Sequence, residues 1–189
     1  MVNTSQPDSQ VAPGELEPVR VLLNSWLIPN DTRQPTDQLA DLVHQHAWPQ
    51  GDVRLIRELR DDLRRMVEHD GPASHREPAA ADECLNRWIA RLGVRVTVAD
   101  GKVRYTHDAG PAGEFLVAVI SAVATGTWSR LKACPDCRWV FYDHSRNGSK
   151  RWCLMYAGGP ADRACGTIAK VRRYRSKKAA ASATATRMT

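Results

Sequence analysis

Four of the chain's five cysteines, Cys134, Cys137, Cys153 and Cys165, fall in its last third with the spacing C-x2-C-x15-C-x11-C. A CxxC step can turn two thiolates toward one ion, with backbone N–H groups softening their charge. A second pair delivered later in the chain closes a tetrahedral site, the usual arrangement for structural zinc. The step to Cys165 is looser than a compact second CxxC, so His144 stands in reserve as a fourth ligand. Other thiol chemistries fit less well. A redox CxxC would open a helix beside a βαβ pattern, which is absent, and a nucleophilic cysteine would want a paired base. Cys84 stands apart and suits a small core position.

Cations surround these thiols. Residues 130–189 hold 14 Lys/Arg against three Asp, a net +11, while residues 1–129 carry −5. A mildly acidic body with a basic end is the asymmetry of a chain that meets a polyanion. Arg138, Arg146, Lys150 and Arg151 lie between the second and third cysteines. After Cys165, "GTIAKVRRYRSKKAA" predicts a helix that Thr167 can cap. At 100° per residue Lys170, Arg173 and Lys177 fall within about 60° of one another. Ile168 and Val171, off that cationic face, are expected to pack on the cysteine knuckle. Such a face suits the phosphates of a duplex groove. Trp139, Phe141 and Trp152 could stack on bases, but in so small a unit they suit its core better.

The elements that must position this segment are mainly helical. Residues 1–18 are polar and proline-bearing, and predict disorder. Residues 19–28 form a buried element of either type. Residues 35–48 predict a helix capped by Thr36. Residues 51–69 predict a second, with Val53, Ile56, Leu59, Leu63 and Val67 as its apolar stripe and Asp52 as a cap. Residues 77–93 predict a third, with Leu85, Trp88, Ile89 and Leu92 inward and Gly93 at its end. The period then changes to two on either side of Asp100-Gly101, a strong hairpin signal. Residues 113–133 predict an apolar helix that breaks near Gly126. His44, His46, His69, His75 and His107 lack ligand spacing. The longest apolar run, Phe115 to Ala124, is too short for a bilayer, which needs roughly 20 residues. No secretory signal is visible at the N-terminus, so a cytoplasmic location is expected, where disulfides are rare.

The segment "CPDCRWVFYDHSRNGSKRWCLM", followed by "CGTIAKVRRYRSKK", resembles the CGNR zinc-finger family. Upstream, "VLLNSW", the helices and the hairpin are similar to the ABATE stress-response domain that precedes this finger in the family. The resemblance implies a bacterial transcription regulator that binds double-stranded DNA through zinc held by Cys134, Cys137, Cys153 and Cys165. Two departures stand out. Residues 157–164 read as an insertion of about seven residues, which a surface loop absorbs at small cost. Thr167-Ile168 replaces the family's Asn-Arg, and with it any base or phosphate contact that Arg would make.

The expected architecture is mainly α with one β-hairpin. It divides into a disordered stretch (1–18), a helical ABATE-like domain (19–129), a treble-clef-like finger ending in a basic helix (130–178) and a flexible tail (179–189). The expected DNA contacts are Arg146, Lys150, Arg151, Lys170, Arg172, Arg173, Arg175 and Lys177. The N-terminal domain would sense a small-molecule effector or form a homodimer, and no membrane is involved. A protein–protein adaptor or an RNA-binding module would use the same charges. Paired carboxylates, a nucleophile motif and a Gly-rich phosphate loop are all missing, so no enzyme is expected.

Overall fold

The computed structural model describes residues 10–29, 32–68, 78–154 and 164–186. His69, His75 and the inserted segment up to residue 163 lie outside them. Within the described residues the chain runs α1 (Leu16–Asn24), β1 (Trp26–Leu27), β2 (Thr36–Asp37), α2 (Leu39–Gln45), α3 (Val53–Glu68), α4 (Pro78–Arg91), β3 (Arg95–Ala99), β4 (Lys102–Thr106), α5 (Gly110–Ala124), β5 (Leu131–Ala133), β6 (Val140–Tyr142) and α6 (Cys165–Thr186). The strands form three antiparallel pairs, β1–β2, β3–β4 and β5–β6, where the sequence predicted one hairpin.

The apolar stripes explain the packing. Ile56, Leu59, Leu63 and Val67 of α3 are buried, as their helical spacing requires, against Val19, Leu22 and Leu23 of α1 and Leu116 and Val119 of α5 in one core. Each such side chain contributes about 1.5–3 kcal/mol by leaving water. Leu131, Val140 and Tyr142 of the β5–β6 pair belong to that same core. The pair therefore seats the cysteine segment on the helical body.

Several local expectations change. Residues 10–18 are ordered, because Gln10, Ala12 and Leu16 are buried and the Ala12 N–H donates to Glu17 at 2.7 Å. Thr36 does not cap α2; it lies in β2. Asp37 takes that role, accepting the Leu39 N–H at 3.0 Å. The apolar helix ends at Ala124, next to the break expected near Gly126, and beyond it residues 131–133 form β5 instead of more helix. Residues 179–186, expected as a flexible tail, continue α6.

The β3–β4 hairpin forms as its turn residues dictate. Asp100 and Gly101 adopt φ of 52° and 69°, the left-handed pair of a two-residue turn that matches strand twist. The alternation gathers the apolar side chains on one face, and that face is open. Val96, Val98 and Val103 are 62%, 73% and 59% exposed. They line one side with Tyr105, through the pairs Val96–Tyr105 and Val98–Val103.

Candidate metal centre and nucleic-acid interface

The β5–β6 hairpin presents Cys134 and Cys137 at its turn. The Arg138 N–H donates to the Cys134 carbonyl and the Cys134 N–H to the Trp139 carbonyl, both at 2.8 Å, which closes the knuckle. Arg138 takes a left-handed φ of 62° to do so, a conformation non-glycine residues adopt uncommonly. Cys153 arrives after a loop, and Cys165 is the first residue of α6. All four sulfurs lie buried within 4.8 Å of one another. Cys137 and Cys153 are 3.5 Å apart, and Cys153 and Cys165 are 3.7 Å apart. Tetrahedral zinc with sulfurs at about 2.3 Å requires sulfur–sulfur separations of about 3.8 Å. A disulfide would require about 2.05 Å. The cluster has zinc spacing.

The electrostatics point the same way. Hydrogen bonds from the Cys137, Cys153 and Cys165 thiols draw the Cys134 pKa down. The Cys153 thiol is pushed up by Cys134 and Cys137. Four thiolates in one dry space repel each other, and only a shared cation lets all of them ionise. His144 is not part of the set, for its Nε2 donates to the Val11 carbonyl at 2.7 Å. Phe141 is fully buried and Trp139 and Trp152 are partly buried around the cysteines, so all three serve as the cluster's core. Cys84 lies in the helical core, away from this cluster.

Residues 130–178 match the family model of the CGNR zinc finger. The match and the four close thiols together make zinc the cofactor of this segment. No curated protein matches the chain.

The finger's charges divide by surroundings. Arg146, Lys170, Arg173, Arg175 and Lys177 are exposed. Lys150 lies over the Phe141 ring at 5.3 Å, Arg151 over Trp152 at 5.9 Å, and Arg172 pairs with Asp136 at 3.0 Å. Ile168 is half-buried, whereas Val171, expected against the knuckle, is 42% exposed. Every described side chain from Lys170 to Lys178 is exposed. From Lys170 to Lys178, α6 therefore shows solvent all of its faces. Lys170, Arg173 and Lys177 form one cationic side, and Arg172 and Arg175 lie roughly opposite, about 60° apart.

Residue types and spacing gave no sign of two polar groupings. In the first, the body grips the finger's backbone. The Asn24 amide accepts the Val140 N–H and donates to the Val140 carbonyl, each at 2.8 Å, as a neighbouring strand would. Arg64 reaches the Arg138 carbonyl at 3.0 Å, Arg33 the Asp136 carbonyl at 2.8 Å, and Gln10 the Cys153 carbonyl at 3.1 Å.

In the second, Asp143, with no exposed surface, organises the loop before Cys153. It accepts the Ser145 N–H and hydroxyl at 2.9 and 2.6 Å, Lys132 Nζ at 2.9 Å and the Lys150 N–H at 2.8 Å. Burial alone would raise its pKa, but the bonds from Ser145, Lys132 and Lys150 outweigh it and hold the carboxyl at about 2. The only sequence signal for either grouping is an Asp or Asn inside an otherwise apolar or basic run.

Proposed function

We propose that this chain is a zinc-dependent DNA-binding regulator of transcription. Cys134, Cys137, Cys153 and Cys165 bind one zinc, which holds the finger in a treble-clef arrangement: a knuckle on a β-hairpin, with the last ligand opening a helix. The observation that carries the reading is α6. Six cations, Lys170, Arg172, Arg173, Arg175, Lys177 and Lys178, surround a helix that is exposed on every side from Lys170 to Lys178. A helix charged all round fits between the two phosphate walls of a groove better than it fits a flat acidic surface. The acidic body favours the same division, since only the finger end is drawn to a polyanion.

The body, similar to an ABATE domain, senses an effector or pairs two chains, and the open Val96–Val98–Val103 face suits the second use. Reduced, clustered thiols fit a cytoplasmic location. Among the described residues no helix is long and apolar enough to cross a membrane.

Fluorescence anisotropy with labelled duplex DNA and labelled single-stranded RNA, titrated at several salt concentrations, tests the reading. The zinc-loaded wild type should bind duplex DNA. Replacing Lys170, Arg173 and Lys177 with Ala should weaken binding to all sequences alike, and flatten the log K against log salt slope by about 0.9 per lost contact. Zinc content must remain at one per chain. If the zinc-loaded triple variant keeps its affinity and slope, α6 is not the DNA face and a protein–protein adaptor becomes the better reading. Preference for RNA would make it an RNA-binding module.

A further inference from the structure

The loop between β6 and Cys153 is held from below by three charged groups. Asp143 takes the four hydrogen bonds described above. Lys132, besides Asp143, donates to the carbonyls of Gly148 and Lys150. Arg130 donates to the carbonyls of Asp143 at 3.0 Å, Ser145 at 2.6 Å and Arg146 at 3.3 Å. Gly148 closes the turn with φ of 58°, and Arg130 comes within 3.9 Å of where a Cβ would stand. The backbone of this loop is spoken for on its inner side. Its outer side is not: Arg146 and Asn147 are exposed, and neither side chain has a hydrogen bond or ion pair to another described residue.

We propose that this loop is the sequence-reading edge of the finger, with Arg146 and Asn147 facing base edges, and that Asp143, Lys132 and Arg130 are positioning residues that hold it in shape before DNA arrives. The inference rests on the DNA-binding reading and adds to it a division of labour. The cations of α6 supply affinity that ignores sequence, as phosphate contacts do, and the loop supplies discrimination. The side-chain chemistry fits. Arg can donate a paired contact to guanine O6 and N7, and Asn can pair with adenine N6 and N7. A fixed loop suits this task, because a contact that must be aligned in two places is lost when its backbone wanders. Charge alone would not need such a frame, since an exposed Lys or Arg neutralises a phosphate from many positions.

The test uses the full-length, zinc-loaded protein and a duplex pool with a randomised core, from which the bound fraction is sequenced. Wild type should enrich a motif. R146A and N147A, at exposed positions that leave the fold intact, should each erase preference at one position, costing roughly ten- to a hundredfold in discrimination. R146K keeps the charge, so it should keep the salt slope and still lose that preference. D143N should bind zinc and unselected DNA as wild type does while its motif flattens at both positions, an effect a merely structural role would not produce. A wild-type motif that survives in both R146A and N147A overturns the assignment. DNA binding with no enriched motif also overturns it, and leaves the DNA reading standing. Failure of the wild type to bind any duplex removes both.

Discussion

Arginine is put to opposite uses in the two halves of this molecule. In the body Arg60 and Arg64, one turn apart on α3, are almost fully buried. Arg60 is held by Asp37 at 2.6 Å, Asp61 at 2.8 Å and Ser25 at 3.1 Å. Arg64 is held by Glu68 and by the carbonyls of Leu23, Trp26 and Arg138. In the finger Arg146, Arg173 and Arg175 are exposed and have no partner among the described residues. Arg60 and Arg64 are satisfied internally, which makes them structural and takes their charge off the body's surface. Arg146, Arg173 and Arg175 are kept free, unlike Arg130 and Arg172 of the same finger, which costs the fold little and leaves them available to an anion. A count of Arg and Lys cannot separate these two populations. Burial and partners do.

The largest expected effect comes from the metal. Structural zinc supplies about 10–16 kcal/mol in small finger units, so chelation or Cys153→Ser should abolish the fold of residues 130–178. Because Leu131, Val140 and Tyr142 share the body's core, the helical body should lose stability with it. Circular dichroism in urea, with and without chelator, checks this. A body that unfolds at the same urea concentration in both would break the picture of one joined unit.

Next comes Arg64→Ala on α3. It leaves the Leu23, Trp26 and Arg138 carbonyls without their donor and the partly exposed Glu68 without its partner, and should cost about 3–5 kcal/mol, since each stranded acceptor costs about 1–3 kcal/mol. Denaturant unfolding of the zinc-loaded protein reads it. Asn24→Ala should cost about 1–3 kcal/mol, because the Val140 N–H and carbonyl both lose their partner. Its signature is faster hydrogen exchange at the Val140 amide.

Smaller still is a pH effect at Asp37. Burial pushes its pKa up, but the hydrogen bond from Arg60, aided by the Leu39 N–H, prevails and holds it below the ordinary value of 3.8. A carboxyl depressed in the folded state stabilises above its unfolded pKa, and that contribution disappears as the pH falls through the folded one. Asp37 is partly exposed, so solvent screening limits the gain to about 0.2–1 kcal/mol. The stability gap between wild type and Asp37→Asn should therefore be full near neutrality and close below the normal carboxylate range. A gap that widens in acid would reverse the assignment.

The smallest effects are expected at the finger's exposed arginines. Arg146→Ala, Arg173→Ala and Arg175→Ala should each stay within about 0.5 kcal/mol of wild type. A larger loss from any of them would mean that the residue is structural, as Arg60 and Arg64 are.

The sequence by itself determined the zinc ligands' types and spacing, the Asp-Gly turn and the apolar stripes of α3 and α4. Each of these depends on residues close in the chain, or on a chemistry carried by residue type alone: a thiolate binds zinc wherever it stands, and a hairpin turn needs only its own two dihedrals. Tertiary structure alone decided that the finger is bound to the body through Asn24, Arg64 and Arg33, and that Asp143 with Lys132 and Arg130 frames the loop. It also decided that the valine face of β3–β4 stays open, and that α6 is exposed from Lys170 to Lys178. The common reason is distance along the chain. Asn24 and Val140 are 116 residues apart, and nothing local to either says that the other will be its partner. A polar side chain in an apolar run announces that it needs a hydrogen bond once buried, and only the packing of distant elements says which backbone answers.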